Sequence, residues 1–142
     1  MFVMDTDHVS LLQSAAGLAG ERLRARIRSL PEDEVAATII SFEEQTRGWL
    51  AFQASARSLD RQVDAYRKLK RHLKAYCEMD VLEFDIEATT VFQGLRQSRI
   101  RIGTMDLKIA AIALAHHATL LTRNLKDFRK VPGLNIEDWT TS

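Results

Sequence analysis

The sequence predicts an α/β fold, with a central parallel sheet of four to five strands, helices on both faces and a projecting helical hairpin. Two observations carry this. Hydrophobic residues switch repeatedly between short continuous runs and helical spacing, the mark of strands alternating with helices. The short runs are flanked by polar, capping or turn residues, so each strand hands over to a helix rather than to a hairpin turn. A chain of 142 residues is long enough to bury a real core and fits a single domain over 1–142.

Phe2-Val3-Met4 is the first strand. Leu11, Leu12, Ala15, Leu18 and Leu23 then recur at helical intervals, with Gly17 and Gly20 marking a break between two short helices before Pro31. Val35 to Ile40, rich in β-branched residues, reads as the second strand, and Ser41 opens the next helix, Phe42 to about Ala56. From Leu59 to Tyr76, the residues Leu59, Val63, Tyr66, Leu69, Leu73 and Tyr76 mark one face, while Arg61, Arg67, Lys68, Lys70, Arg71 and Lys74 fill the rest. This is an amphipathic helix with a basic outer side, and with its predecessor it forms the hairpin. Val81 to Phe84 is the third strand, followed by a helix to about Arg99. A further helix runs from Thr104 to His117, Thr119 to Thr122 is the fourth strand, and Leu134-Asn135-Ile136 adds a short edge strand.

With 20 Lys and Arg against 19 Asp and Glu, net charge does not mark a nucleic-acid binder, and the placement of charge matters more than its sum. The single cysteine, Cys77, excludes an internal disulfide and a cysteine-based zinc site and reads as a partly buried small hydrophobe. Asp5 and Asp7 interrupt the apolar start, unlike a signal peptide. The longest apolar run, Ile109 to Ala115, is far short of the ~20 residues that span a membrane. A cytoplasmic protein with no membrane association is expected.

Asp5, Glu44, Asp106 and Asp127 each fall at a strand-to-helix junction or in the first turn of a helix. Singly, each has a structural reading. Asp5 can cap a helix, Ser41-x-x-Glu44 is a capping box, Asp106 can complement a helix dipole, and Asp127 can be an ordinary loop acid. Together they lie on the edge of a parallel sheet where ligands bind, the carboxyl ends of the strands. Clustered acids repel unless a cation or protons neutralise them. Hard divalent ions take oxygen ligands while keeping waters, and such a centre suits phosphodiester hydrolysis by Mg²⁺ or Mn²⁺.

These residues also carry a resemblance that covers almost the whole chain. Met4-Asp5-Thr6-Asp7, then Ile39-Ile40-Ser41-Phe42-Glu43-Glu44-Gln45-Thr46-Arg47-Gly48, then Ile102-Gly103-Thr104-Met105-Asp106, and finally Leu121-Thr122-Arg123-Asn124-Leu125-Lys126-Asp127-Phe128 with Val131-Pro132-Gly133 resemble PIN domains of the VapC toxin type. Asp7 stands where the family usually has Asn, and Asn124 where many members have Asp. The resemblance implies a PIN-like three-layer α/β/α fold and an Mg²⁺- or Mn²⁺-dependent endoribonuclease. It implies the toxin of a type II toxin–antitoxin pair, cutting structured RNA such as tRNA or rRNA, silenced by a VapB-like antitoxin and paired as a homodimer.

On that reading Asp5 and Asp106 hold the metal, Glu44 joins them directly or through water with Glu43 as backup, and Asn124 or Asp127 orients the attacking water or a second, substrate-assisted metal. Thr6 and Thr122 are candidate hydroxyls that fix carboxylate orientation. Arg47, Arg99 and Arg101, with Arg96 and the hairpin residues Lys68, Arg71 and Lys74, are candidates for RNA phosphate contacts, against the plain reading of solvated charge. His116, His117, Trp49 and Trp139 read as structural. Two other classes stay open. A phosphorelay receiver has only Asp85 as a phosphoacceptor candidate, and a catalytically weak PIN scaffold would bind RNA or a protein without cutting it.

Overall fold

The computed structural model describes residues 1–14 and 17–141. Ala15, assigned above to a helical face, lies outside the described residues. These form five strands, β1 (Phe2–Met4), β2 (Val35–Thr38), β3 (Val81–Leu82), β4 (Thr119–Leu121) and β5 (Ile136–Glu137). Seven α-helices accompany them: α1 (Thr6–Gln13), α2 (Leu18–Arg28), α3 (Ile39–Ser55), α4 (Leu59–Cys77), α5 (Ile86–Gln97), α6 (Thr104–Ala115) and α7 (Leu125–Phe128). All pairings are parallel, in the order β3-β2-β1-β4-β5. Strand order therefore reverses between β1 and β4, and the crevice at such a switch point is where open parallel sheets bind ligands.

Successive strand residues point to opposite faces. Val3, Ala36 and Leu120 enter one core with α5, α6 and Phe128. Their neighbours Met4, Ala37 and Leu121 enter the other, with Val9, Leu23, Tyr76 and Trp139. The result is the expected three-layer α/β/α architecture. Helix α6, apolar nearly all round, is buried from Ile109 to Ala113 between α5 and the sheet.

Several boundaries differ from expectation for identifiable reasons. β2 stops at Thr38 rather than Ile40, because the buried Thr38 hydroxyl accepts the Ser41 amide at 3.1 Å and starts α3 three residues early, at Ile39. The β-branched pair Ile39-Ile40 is thus helical, its strand propensity overridden by the cap and by burial of Ile40. We expect Thr38→Ala to lower unfolding free energy by about 1–2 kcal/mol and Thr38→Ser to recover most of it, as read by urea denaturation. β3 is shorter than foreseen because Asp85 caps α5, its carboxylate accepting the Ala88 amide at 2.9 Å. The last long helix ends at Ala115, and His117 follows at φ 52°. The fourth strand ends at Leu121, and the edge strand is Ile136–Glu137 rather than 134–136. Gly17, at φ 116°, does precede α2, whereas Gly20 lies inside it. There a Cβ would meet the Leu11 carbonyl at 2.9 Å, so this glycine permits close packing of α2 on α1.

The α3/α4 hairpin is present, but α4 is rotated from the expected stripe. Its buried residues are Ala65, His72 and Tyr76, while Leu59, Val63, Tyr66 and Leu73 are exposed. His72 and Tyr76 go inward because they find partners. The Thr46 hydroxyl meets His72 Nε2 at 2.7 Å, Tyr76 donates to Gln45 at 2.6 Å, and the His72 ring stacks on Phe42. Cys77 is exposed rather than partly buried.

Candidate active site

The ends of β1 and β4 bring Asp5 and Thr122 together. The Asp5 amide donates to the Leu121 carbonyl at 2.8 Å, and the Asp5 side chain is only 5% exposed at the start of α1. Both of its oxygens are held: Oδ1 accepts the Thr6 amide at 2.7 Å, and Oδ2 accepts the Thr122 hydroxyl at 2.8 Å. Thr122 is fully buried, and its Oγ1 also accepts the Asn124 amide at 2.9 Å, so one hydroxyl links Asp5 to the β4–α7 loop. Thr122→Val keeps the shape and removes that link, so we expect Mn²⁺ affinity to fall about 10- to 100-fold in a calorimetric titration, with Thr122→Ser close to the parent.

Glu44 reaches the same crevice from α3. Its Oε1 accepts the Thr6 hydroxyl at 3.0 Å, and Thr6 Oγ1 in turn lies 2.9 Å from Ser41 Oγ. Because the Thr6 proton goes to the carboxylate, Ser41 donates to Thr6. The capping-box reading of Ser41 and Glu44 therefore fails: Thr38 caps the helix, and Glu44 is bound across to α1. Glu43 is not placed as a substitute, since it is engaged by Arg47 at 2.6 Å.

Asp106 sits half-buried in the first turn of α6, whose N-cap Gly103 offers no side-chain bond. Asn124 caps α7, its Oδ1 accepting the Asp127 amide while its Nδ2 donates to Asp127 Oδ2 at 3.0 Å. Lys130 approaches Asp127 at 3.5 Å and donates to the Arg101 carbonyl at 3.2 Å, tying the α5–α6 loop to α7. Arg99 and Arg101 are exposed on that loop.

The electrostatics separate these acids. Burial first, then the Asp7 charge and more weakly Asp106, push the Asp5 carboxyl up to about 7, against the opposing hydrogen bonds from Thr122 and Thr6. Burial followed by the charges of Glu44, Asp127 and Asp7 raises Asp106 as well. Asp127 is held below the ordinary carboxylate range by the Asn124 amide and by Lys130. Asp5 thus senses Asp7 and Asp106, and Asp106 senses Glu44 and Asp7, although among the described residues no three Asp, Glu, His or Cys side chains are gathered closely enough to hold a metal ion as they stand. An all-oxygen donor set whose mutual repulsion is otherwise met by protons fits a hard divalent cation.

The family model described as PIN domain matches residues 14–134. The chain belongs to the PIN-domain family. It is 37% identical over 65 residues to a Rickettsia felis protein named Ribonuclease VapC2, a stretch covering 43% of this chain and 48% of that one. It is 34% identical over 65 residues to the tRNA(fMet)-specific endonuclease VapC of Salmonella typhimurium, covering 43% and 49% respectively. These matches span about half the length of those relatives. A longer one, to Ribonuclease VapC1 of Haemophilus influenzae, is 26% identical and covers 99% of this chain and 98% of that protein. Among solved structures, VapBC2 of Rickettsia felis bound to a promoter DNA fragment superposes with a TM-score of 0.74 at 22% identity, covering 97% of this chain and 98% of that one, a likeness of fold.

Within this PIN domain, Asp7 and His8 are the site residues that sequence reasoning missed. Asp7 Oδ2 accepts the Arg123 amide at 3.0 Å and lies 3.5 Å from the Thr122 hydroxyl, while its Oδ1 lies 2.7 Å from His8 Nδ1. The one available signal was Asp7 standing where the family usually has Asn. Nothing in the sequence marks His8, because its remaining partner is 131 positions away. Trp139 is buried in the core against Phe2, as expected of a structural residue.

Proposed function

We propose that this PIN domain is a metal-dependent endoribonuclease using Mg²⁺ or Mn²⁺, the toxin of a VapBC-type toxin–antitoxin pair, and that it cleaves structured RNA such as tRNA or rRNA. The observation that carries the reading is the buried Asp5, oriented at both oxygens at the strand switch point, within reach of the Asp106 charge and joined to Glu44 through Thr6. The names of the relatives, ribonuclease and tRNA endonuclease, support the same reaction class.

Asp5 and Asp106 would hold the ion, with Glu44 joining directly or through water. When bound, a divalent ion supplies Lewis-acid polarisation of the phosphodiester and makes a water a better nucleophile. The chain's own part is orientation. Thr6 N–H and Thr122 O–H fix the two Asp5 oxygens, and the Thr6 hydroxyl fixes Glu44 Oε1, leaving Oε2 to accept a proton from the attacking water. Asn124 is committed to capping α7 and to Asp127, so its role is to shape the loop beside the site. Arg101, whose backbone is tied to Asp127 through Lys130, and the exposed Arg99 on the same loop would contact RNA phosphates, which position a substrate without reading its sequence. Arg47 would do so only on leaving Glu43.

Partner binding has its own support. Leu50, Phe52, Leu59, Val63, Tyr66 and Leu73 leave the hairpin with exposed apolar surface of the kind that interfaces cover, consistent with an antitoxin and a second copy of the chain. Among the described residues no helix is long and apolar enough to cross a membrane. The deciding experiment incubates antitoxin-free protein with pooled tRNA and rRNA in Mg²⁺ or Mn²⁺. Discrete products that vanish with EDTA support the ribonuclease. Intact RNA in both metals, with RNA retained by the protein, leaves the binding scaffold instead.

A further inference from the structure

We propose that Asp7 is a positioning residue, held by His8 and the Arg123 backbone amide, and that position 7 requires a carboxylate rather than an amide. The inference rests on the reading of the site given above and extends it to two residues the mechanism does not use. His8 is fully buried in the first turn of α1, and both ring nitrogens are engaged. The Trp139 amide donates to Nε2 at 3.2 Å, so Nε2 carries no proton. A neutral imidazole then has its proton on Nδ1, where it donates to Asp7 Oδ1 at 2.7 Å. Asp138 Oδ1 also lies 3.7 Å from Nε2, but its short contacts are to the Thr140 amide and hydroxyl at 2.8 and 2.6 Å, and the Trp139 N–H is the group that points at the ring.

Asp7 therefore faces donors on both sides. Oδ1 takes the His8 Nδ1 proton, and Oδ2 takes the Arg123 amide at the mouth of the β4–α7 loop. An Asn at this position has one acceptor oxygen and cannot serve both. Either the Arg123 amide loses its partner, or His8 must turn over its tautomer and set an N–H against that of Trp139. The consequence reaches the reacting groups through one intermediate. The Arg123 bond fixes the residue after Thr122, and Thr122 is the residue whose hydroxyl holds Asp5 and the Asn124 amide. The segment after β5 is thereby coupled to the acid cluster through Trp139, His8 and Asp7.

The test uses three variants of the full chain, Asp7→Asn, His8→Leu and His8→Gln. It has three readouts: imidazole ¹⁵N shifts, calorimetric Mn²⁺ affinity, and the separate kcat and KM for pooled tRNA. The parent should show His8 as the Nδ1–H tautomer, less common in free histidine. His8→Leu retains every carboxylate of the cluster, yet should weaken Mn²⁺ binding and lower kcat about 10- to 100-fold with KM little changed. His8→Gln, whose amide can accept from Trp139 and donate to Asp7, should restore most of that loss, whereas Asp7→Asn should bind Mn²⁺ about as weakly as His8→Leu whichever tautomer His8 then takes. A parent His8 protonated on Nε2 overturns the proposal, as does a folded His8→Leu variant that binds Mn²⁺ and turns over as the parent does. If the parent binds Mn²⁺ and shows the expected tautomer but cuts no RNA, the ribonuclease reading fails while the positioning of the acid cluster stands on the first two readouts.

Discussion

Asp5→Asn is expected to make the metal-free protein more stable at pH 8 while removing its activity. The Asp5 carboxyl is raised to about 7 from an ordinary 3.8 by burial and by the neighbouring Asp7 charge. A group whose folded pKa lies above its unfolded value contributes stability that is fully present below the unfolded value and is lost as pH rises through the folded one. The metal-free chain should therefore lose stability between about pH 4 and 7, by up to about 4 kcal/mol for a shift of this size. Asparagine carries no charge to desolvate and keeps an acceptor for the Thr6 amide, but turns its NH₂ toward the Thr122 hydroxyl, so a net gain of about 2 kcal/mol is the reasonable expectation at pH 8. Thermal unfolding in EDTA at pH 5 and pH 8 reads this directly, with parent and variant converging at the lower pH. If Asp5 served only as a helix cap, the variant would be no more stable than the parent at either pH.

Asp106→Asn should cost at least ~100-fold in RNA cleavage, more than removal of a hydrogen-bond partner behind a metal ligand, with the fold intact. Asp106 is half-buried, raised in pKa by burial and then by Glu44, Asp127 and Asp7, and takes no part in capping α6. Its dipole contribution, about 0.3–1 kcal/mol, is the most that stability can lose, and relief of repulsion offsets it. Cleavage kinetics paired with urea denaturation separate the outcomes. A large fall in stability with proportionate loss of activity would return Asp106 to the structural reading.

The acids at the ends of β1 and α6 were legible because their positions follow from strand and helix periods, which are local. Glu44 has a different partner from the one its capping-box spacing suggests: the Thr6 hydroxyl from another element, not the Ser41 amide. The end of β2 was misplaced because Ile39 and Ile40 favour strands locally, while the buried Thr38 cap decides in favour of helix. The buried face of α4 was misread for the opposite reason. Its apolar stripe is regular, but Ala65 and His72, the latter bonded inward to Thr46, share the buried face with Tyr76 and leave Leu59, Val63, Tyr66 and Leu73 outside. Asp7 and His8 were invisible as a pair because their roles are set by the Arg123 and Trp139 amides, contacts that no periodicity encodes.

The acids at the strand switch point are expected to form one cation site whose repulsion is met by protons in the metal-free chain. Titrating the purified chain with Mn²⁺ at pH 7, in two buffers of different ionisation enthalpy, tests it most directly. Binding should be saturable and release a fraction of a proton approaching one, since burial raises the Asp5 carboxyl to about 7 and ligands must be deprotonated. Both the binding and the proton release should be lost in Asp5→Asn. Undetectable binding by the parent, or binding that persists unchanged in Asp5→Asn, would contradict this expectation.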